Sequence, residues 1–346
     1  MRGISPSNPY LTNNLLPPPP RSFRYRQWQA RGYQAALQPM SSDSEMGVLV
    51  GQMGWMGSQA HARGYLWGTA GNMGALLSEA IDLRCLVPRD QSPRYSLPAA
   101  ITVKQLAGRR VLITKSGSRL DAIAVEHPAL NLTIVEIDDD GRHYRMRYGT
   151  PPVSILEQGQ ITAPKPTSEL FHYLLIFDQL ENHGFKALVH LQPKFLNLIS
   201  RSEYGSPSRF YDFLRGYEPE TPIIYEKSGG IGFVQEKAPG IPELSYENLR
   251  LFKKEDLPSN QRHEMRHILC WVGHGTFSRG ADILDAYKHA EYFEAAAQMA
   301  WEANQKRINA QAYNKDIIDC ILREFRQNQS PPQEHHNEDE NLYNYP

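Results

Sequence analysis

The sequence lacks most features that assign a protein to a class at sight. Its 346 residues contain only three cysteines, Cys85, Cys270 and Cys320, which are far apart and form no Cys-x-x-Cys pair. This scarcity argues against a disulfide framework or a zinc knuckle and indicates buried thiols in a reducing compartment. No apolar run approaches the roughly 18 residues of a membrane-spanning helix, so no membrane partner is expected. The expected location is the cytoplasm.

Net charge is also nearly absent, at −1 with the histidines neutral. A nucleic-acid-binding protein usually carries a basic patch or stripe, so no nucleic-acid partner is expected. Hydrophobic residues make up 40% of the chain, and its length gives room for one large domain or two small ones with an ample core. Composition therefore predicts a globular protein and leaves its activity open.

Acidic residues are absent from the first 41 positions, which carry five arginines and four consecutive prolines, Pro17 to Pro20. Such a segment has no means of building a packed core. Three interpretations stay open: an organelle transit peptide, which is acid-poor and Arg-rich, a disordered basic arm, and a start of translation at Met40 or Met46. We assign residues 1–42 to a non-globular arm, 43–327 to one folded domain and the polar residues 328–346 to a disordered tail.

Local patterns predict both helices and strands within the folded domain. The predicted helices are residues 43–63, then stretches beginning at 167 or 168, at 194, at 245 and at 282, and a last one after 314; 202–209 is a predicted polar loop. The predicted strands include 111–114, a hairpin of 132–137 with 143–148, and 187–189, 222–225 and 268–272. The hairpin turn, 138–141, reads Asp-Asp-Asp-Gly, which favours turn chemistry over a metal cluster.

The stretch 166–193 holds two candidate chemical groups. Glu169 falls in the first turn of a predicted helix, where the helix dipole favours a carboxylate, and Thr167 or Ser168 can cap that helix. His190 closes a short apolar strand. The carboxylate and the imidazole can therefore face one cleft. A capping acid and a surface histidine fit the same pattern and remain the structural alternative.

Two loops have the composition of anion-binding sites. Four glycines between Gly64 and Gly74 let the backbone approach a ligand closely, and Asn72 among them suits an oxyanion. Residues 115–119, Lys-Ser-Gly-Ser-Arg, offer a phosphate the hydroxyl of Ser116, the amide of Gly117 and two cations. A tight hairpin and a polar turn are the corresponding structural alternatives.

A second histidine, His274, follows the predicted strand 268–272, so Glu169, His190 and His274 all lie at the ends of elements. Neutral imidazoles with a carboxylate are good ligands for zinc. A catalytic zinc typically has three protein ligands and one open position. The combination predicts a metal site that no one of these residues would predict alone.

Seven short motifs occur in the order found in the class II aldolase/adducin superfamily. They are Gly68-Thr-Ala-Gly-Asn72, Thr114-Lys-Ser-Gly117, Pro166-Thr-Ser-Glu-Leu170, His190-Leu-Gln-Pro193, Gly229-Gly-Ile-Gly232, Pro239-Gly240 and His274-Gly275. Over residues 46–325 the chain most resembles the L-rhamnulose-1-phosphate aldolases. The resemblance implies an α/β fold, a three-layer α/β/α sandwich around a mainly antiparallel sheet. It also implies a homotetramer with active sites at subunit interfaces.

The resemblance assigns the metal, Zn²⁺ or another divalent ion, to His190, Gln192 and His274. Gln192 stands where the family has a histidine, and its carbonyl oxygen is a harder and weaker ligand for zinc than imidazole. Glu169 takes the position of the catalytic acid and base. The substrate phosphate falls on five residues: Asn72, Ser116, Gly117, Thr167 and Ser168.

The resemblance further implies a catalytic acid contributed across the subunit interface. This acid falls on Glu220 when residues are counted from Gln192, and on Pro222 when they are counted backward from Gly229. The implied activity is reversible, metal-dependent aldol cleavage of a ketose 1-phosphate, similar to rhamnulose 1-phosphate, to dihydroxyacetone phosphate and an aldehyde. Another metal-dependent enzyme of the superfamily, a dehydratase or an epimerase, and a non-catalytic adducin-like module remain open.

Overall fold

A computed structural model gives the structure of the protein. It describes residues 45–78, 88–126, 128–147, 165–214, 217, 220–235, 237, 240–262, 265–305, 316, 319–320 and 322–323. The predicted arm and tail lie outside these residues, as do Cys85 and most of the predicted last helix. Among the helices that are described, none is long and apolar enough to cross a membrane.

Nine strands within the described residues form one sheet. They are β1 (Asn72–Leu76), β2 (Arg94–Ser96), β3 (Arg110–Thr114), β4 (Leu132–Ile137), β5 (His143–Arg147), β6 (Ala187–Leu191), β7 (Ile231–Val234), β8 (Ile268–Trp271) and β9 (Gly275–Gly280). Their order across the sheet is β2-β5-β4-β3-β1-β6-β9-β8-β7. Every neighbouring pair is antiparallel except β7 with β8, which is parallel.

Helices cover both faces of this sheet. In the described part of the chain they are α1 (Glu45–Ala62), α2 (Pro128–Asn131), α3 (Leu170–Leu180), α4 (Lys194–Ser200), α5 (Pro207–Leu214), α6 (Thr221–Lys227), α7 (Pro242–Phe252) and α8 (Ile283–Gln305). Buried residues of α1, α4, α5 and α8 form one apolar core, and those of α3 and α7 form another. The predicted three-layer sandwich around a mainly antiparallel sheet is therefore confirmed.

Alternation along the central strand β6 divides its side chains between the two cores. Ala187, Val189 and Leu191 belong to the core that contains α1 and α8, and Leu188 belongs to the core that contains α3. Because successive residues of a strand point to opposite faces, His190 lies on the same face as Leu188. The hydrophobic pattern of the strand thus turns the imidazole toward α3.

The long helix α8 matches its prediction. All five residues of the predicted apolar stripe are buried: Ile283, Tyr287, Ala290, Phe293 and Ala297. The predicted cap is also present, because Asp282 Oδ1 accepts the backbone N–H of Asp285 at 2.8 Å.

The predicted strand at 222–225 is wrong, since this segment belongs to helix α6. Pro222 stands in the first turn of that helix, where the missing N–H of proline has no intrahelical partner to lose. The strand of this region is β7, after Gly229 and Gly230, whose φ angles of 66° and 80° end the helix. Helix α5 was not predicted, and its start at Pro207 lies inside the predicted loop 202–209. Helix α7 begins earlier than expected, at Pro242.

The hairpin turn between β4 and β5 is confirmed. Asp138 accepts hydrogen bonds from three arginines, Arg89, Arg94 and Arg145, and Asp140 Oδ1 accepts the backbone N–H groups of Arg142 and His143. The acids therefore stabilise a turn. The expectation of buried thiols holds for Cys270 and is wrong for Cys320, which is exposed.

Candidate active site

The candidate residues meet at one end of the central strands of the sheet. His190 lies near the end of β6 and is paired with Asn72 of β1 on one side and with Phe277 of β9 on the other. His274 occupies the turn that joins β8 to β9, and Glu169 immediately precedes α3. The topology therefore brings together three residues that are far apart in the chain.

His190 has a fixed tautomer. Its Nδ1 lies 2.9 Å from the backbone carbonyl oxygen of Thr276, and because a carbonyl only accepts, Nδ1 carries the hydrogen. The lone pair is therefore on Nε2, which is buried and has no hydrogen-bond partner. Glu169 Oε1 is 3.8 Å from this Nε2. A backbone carbonyl on the other ring nitrogen is the usual support of a metal-binding histidine.

Glu169 is held by the turn that precedes α3 and by a side chain of β1. Thr167 Oγ1 accepts the backbone N–H of Glu169 at 3.3 Å, which confirms Thr167 as a residue that caps this segment. Asn72 Nδ2 donates to Glu169 Oε2 at 3.0 Å. The hydroxyl of Tyr173 donates in turn to Asn72 Oδ1 at 2.7 Å. The second oxygen of the buried Glu169 carboxylate is left facing His190.

His274 completes the group. Its ring centroid is 5.0 Å from that of His190, and the two rings are almost perpendicular. Trp271 packs against both imidazoles, and Asn197 Nδ2 donates to the backbone carbonyl of His274 at 3.2 Å. Burial, and then the proximity of His190, lower the pKa of His274 to about 4. The imidazole is therefore neutral at physiological pH, which is the form that binds a metal.

These three residues fit a divalent metal ion. One donor atom from each of Glu169, His190 and His274 lies within 4.8 Å of the other two. Tetrahedral zinc with bonds of about 2.0–2.2 Å places its donors roughly 3.3–3.6 Å apart, so the three side chains would close on an ion by on the order of 1 Å. The unpartnered Nε2 of His190 is the atom that an ion would satisfy. In the described part of the chain this is the only such group of three.

Gln192 lies beside the group without a described side-chain hydrogen bond. Its backbone N–H donates to the carbonyl of Tyr65 at 3.0 Å. Because residues two apart in an extended segment point to the same face, Gln192 lies on the same face as His190. Gln192 and His274 line the same cavity. The position is consistent with a fourth ligand, and that role remains a prediction.

The predicted phosphate residues divide into two groups. Ser116 and Gly117 follow β3 and are exposed, and Ser168 is exposed before α3. Thr167 and Asn72 are buried and bonded to Glu169. Contact of all five residues with a phosphate remains a prediction; in addition, Asn72 supports the carboxylate of Glu169, and Thr167 supports its backbone.

In each of the two predicted anion-binding loops, one residue serves the protein's own packing: Gly71 in the glycine-rich loop and Lys115 in the loop after β3. Gly71 has a φ of 80°, and a Cβ there would lie 2.9 Å from the carbonyl oxygen of His190 and 2.4 Å from Leu66 Cδ2. This glycine is therefore required by the approach of the protein's own strand. Lys115 points inward and donates to the carbonyl of Ala129, and burial lowers its pKa to about 8.

The structure does not bring Glu220 into the group. Glu220 is exposed at the N-terminal end of α6, and it does not line the cavity next to His274. A role in a neighbouring subunit's site remains a prediction.

The sequence model of the family described as Class II Aldolase and Adducin N-terminal domain matches residues 52–301, well over half of the chain. The chain belongs to this family. It is 26% identical over 211 residues to a rhamnulose-1-phosphate aldolase of Escherichia coli O81 (strain ED1a), a match that spans 60% of this chain and 68% of the relative.

Two solved structures have the same fold as this chain. A sugar-phosphate aldolase from Thermotoga maritima has a TM-score of 0.60 at 21% identity, over 77% of this chain and 99% of that one. An aldolase II superfamily protein from Pseudomonas syringae has a TM-score of 0.50 at 13% identity, over 83% and 87%. At these identities the structures establish the fold alone.

Three residues that support the site were not predicted from the sequence: Thr276, Tyr173 and Asn197. Thr276 acts through its backbone carbonyl, and any residue type provides that group. Tyr173 and Asn197 act through contacts with partners about 80 to 100 positions away. The single sequence signal available for Tyr173 was its position four residues after Glu169, one helical turn further along.

Proposed function

We propose that the protein catalyses metal-dependent aldol cleavage of a ketose 1-phosphate to dihydroxyacetone phosphate and an aldehyde. The observation that carries this proposal is the group of buried Glu169, buried His190 and half-buried His274, in which the His190 Nε2 lone pair faces the carboxylate with no protein partner. The rhamnulose-1-phosphate aldolase relatives support the choice of reaction.

The ligands for the ion are His190 and His274, with Gln192 next to them, and Glu169 contacts the ion when substrate is absent. When bound, a divalent ion supplies a Lewis acid that polarises the ketose carbonyl and stabilises the negative charge developing as the bond breaks. Zn²⁺ suits the two imidazoles, and the oxygen donors of Glu169 and Gln192 also suit harder ions.

Glu169 moves the proton of the reaction. In the cleavage direction the C3–C4 bond breaks, its electron pair remains on C3, and the C4 hydroxyl gives its proton to solvent, from which Glu169 is protonated, as the aldehyde forms. Glu169 then protonates C3, and in the synthetic direction it removes the same proton. Asn72 keeps one carboxylate oxygen in place, so the other can reach the reacting carbon.

The substrate phosphate is assigned to Ser116, Gly117 and Ser168, all exposed at the edge of the sheet that carries the metal ligands. Its binding energy would position the reacting carbons. We further propose a cytoplasmic homotetramer in which Glu220 reaches the site of a neighbouring subunit.

Product identification from a panel of ketose 1-phosphates tests the reaction. We expect dihydroxyacetone phosphate and an aldehyde, in amounts that fall by a factor of ~100 or more in Glu169→Gln, consistent with typical general acid–base contributions. Glu247→Gln, at an acid paired with Arg250 on the surface helix α7, is the matched control and retains activity.

Other products would select a different function. A dehydrated or epimerised sugar phosphate would assign the protein to another reaction of the family. No bound metal together with no turnover of any sugar phosphate would favour the non-catalytic adducin-like module, which keeps the fold without the metal.

A further inference from the structure

The strand that carries His190 continues directly into a short helix. Strand β6 ends one residue after His190, and helix α4 begins immediately after Gln192 and Pro193. The backbone N–H of Asn197 donates to the carbonyl of Pro193 at 3.1 Å, which ties the first turn of the helix to the segment that leaves the strand. A displacement of α4 would therefore also displace the end of β6, next to the imidazole of His190.

The same helix holds the turn that carries His274. Asn197 Nδ2 donates to the backbone carbonyl of His274 at 3.2 Å. The backbone N–H of Gly273 donates to Ser200 Oγ at 2.9 Å, and this buried hydroxyl donates in turn to the carbonyl of Asn197 at 2.9 Å. Two side chains three residues apart on one face of α4 thus bind two adjacent residues of the turn.

The turn also packs closely on β6 and on the end of α4. A Cβ at Gly273 would lie 1.6 Å from Nε of Arg201, the residue that follows α4. A Cβ at Gly275 would lie 2.1 Å from the backbone carbonyl oxygen of Leu191, in β6. Only glycine permits these approaches. The position of His274 is therefore set by the helix and by the strand that precedes it.

The start of α4 is held by a residue of another helix. Pro193 stands at the N-cap and makes no side-chain hydrogen bond to the first turn. The backbone N–H groups of Phe195 and Leu196 donate instead to the two carboxylate oxygens of Glu294, in α8, at 2.9 and 2.8 Å. Helix starts leave such N–H groups without intrahelical partners, so a buried carboxylate that accepts two of them fixes the helix in place.

We infer that Glu294, Asn197 and Ser200 are positioning residues of the metal centre, which act through α4 to set the distance between His190 and His274. The inference rests on the proposed metal-dependent reaction. None of the three belongs to the proposed metal ligands. A binding constellation needs its side chains within about 0.5 Å of the productive geometry, and one helix that supports both imidazoles meets this need.

Metal titration of the full-length protein tests this role, with Co²⁺ as the probe and a competing chelator. At about pH 8 the carboxyl of Glu294, whose pKa burial raises to about 7, is ionised. We expect the Kd for Co²⁺ to rise by about tenfold in Glu294→Gln and in Asn197→Ala, the lower end of the losses that supporting partners of metal ligands cause. The visible absorption of bound Co²⁺ should change in both variants.

The effect in Glu294→Gln follows from its donors, because the glutamine amide keeps one acceptor oxygen and turns an NH₂ group toward the second backbone N–H. Glu291→Gln is the matched control on α8, since Glu291 pairs with Arg63. It should leave both the Kd and the absorption of Co²⁺ unchanged.

Ser200→Ala should raise the Kd by a smaller factor than Asn197→Ala. Ser202→Ala is its matched control. Ser202 Oγ also donates to a carbonyl three residues earlier, that of Ile199, but it accepts the N–H of Tyr204 and not that of the metal-binding turn. The control should keep the native Kd and the native absorption.

The possible failures are distinct. A lower thermal midpoint in Glu294→Gln and Asn197→Ala, with the native Kd and the native absorption of Co²⁺, would show a structural role alone and overturn the inference, while the proposed reaction would stand. If Glu294→Gln does not fold, Asn197→Ala and Ser200→Ala, compared with Ser202→Ala, decide in the same way. Failure of the native protein itself to bind Co²⁺ would contradict the proposed metal-dependent function.

Discussion

Asn72 Nδ2 donates to Glu169 Oε2 at 3.0 Å, and Tyr173 holds the other end of the same amide. This chain of two buried hydrogen bonds fixes the carboxylate that faces His190. The resemblance to class II aldolases assigns Asn72 to the substrate phosphate, and the contact with Glu169 adds a second role, the support of the carboxylate.

Replacing this amide distinguishes the two tasks. Hydrogen bonds to charged groups contribute about 1.5–3 kcal/mol, so Asn72→Ala should lower kcat by roughly 10- to 100-fold with metal content unchanged. Tyr173→Phe should lower kcat in the same direction by a smaller factor. Steady-state kinetics and metal analysis measure both effects. An increase in KM for the phosphorylated substrate at constant kcat would instead support the phosphate assignment.

The sequence was sufficient for the residues whose chemistry depends on their own side chains. His190 and His274 stood at the ends of apolar strands, and Glu169 stood at a helix start, so local pattern alone placed all three. Asn72 was indicated by the glycine-rich loop and by the resemblance, but its partner was not, because the Asn72–Glu169 contact depends on strand pairing and helix packing across 97 positions.

Proline was the main source of error in the fold. Pro222 lies in a short run of β-branched and aromatic residues, which predicts a strand when read locally. Packing against α8 and the tolerance of helix first turns for proline decided the segment in favour of α6. Local propensity is too weak to resist such tertiary contacts.

Gln192→His should restore the imidazole that the family has at this position. Imidazole is the better donor for zinc, so the Kd for Zn²⁺ should fall by about tenfold or more, or roughly 1.4 kcal/mol. Isothermal titration with a competing chelator measures this. Gln235→His is the matched control, because Gln235 lines the same cavity but follows β7, whereas Gln192 follows β6. Equal Zn²⁺ affinity in Gln192→His and the native protein would place Gln192 outside the metal ligands.

Glu294, which is not one of the proposed metal ligands, should make the stability of the protein depend on pH. It is buried in α8, and its two oxygens accept the backbone N–H groups of Phe195 and Leu196 in the first turn of α4 at 2.9 and 2.8 Å. Burial raises the pKa of this carboxyl to about 7, and the backbone N–H groups oppose the rise.

A carboxyl whose pKa is raised on folding favours the protonated native state, so its contribution to stability is lost as pH rises from about 4.5 to about 7. The free energy of unfolding of the native protein, measured relative to Glu294→Gln, should fall by on the order of 3 kcal/mol across this window. Urea unfolding at several pH values tests it. The control, Glu291→Gln on the same helix, should show no such slope, and a flat difference for Glu294→Gln would refute the prediction.

Cobalt binding tests the central claim most directly, because Co²⁺ reports both stoichiometry and ligand set through its visible absorption. We predict one Co²⁺ per subunit in the native protein, a changed spectrum with retained binding in Glu169→Gln, and loss of tight binding in His274→Ala and His190→Ala. Tight stoichiometric binding with an unchanged spectrum in His274→Ala would contradict the assignment of Glu169, His190 and His274 as a metal centre.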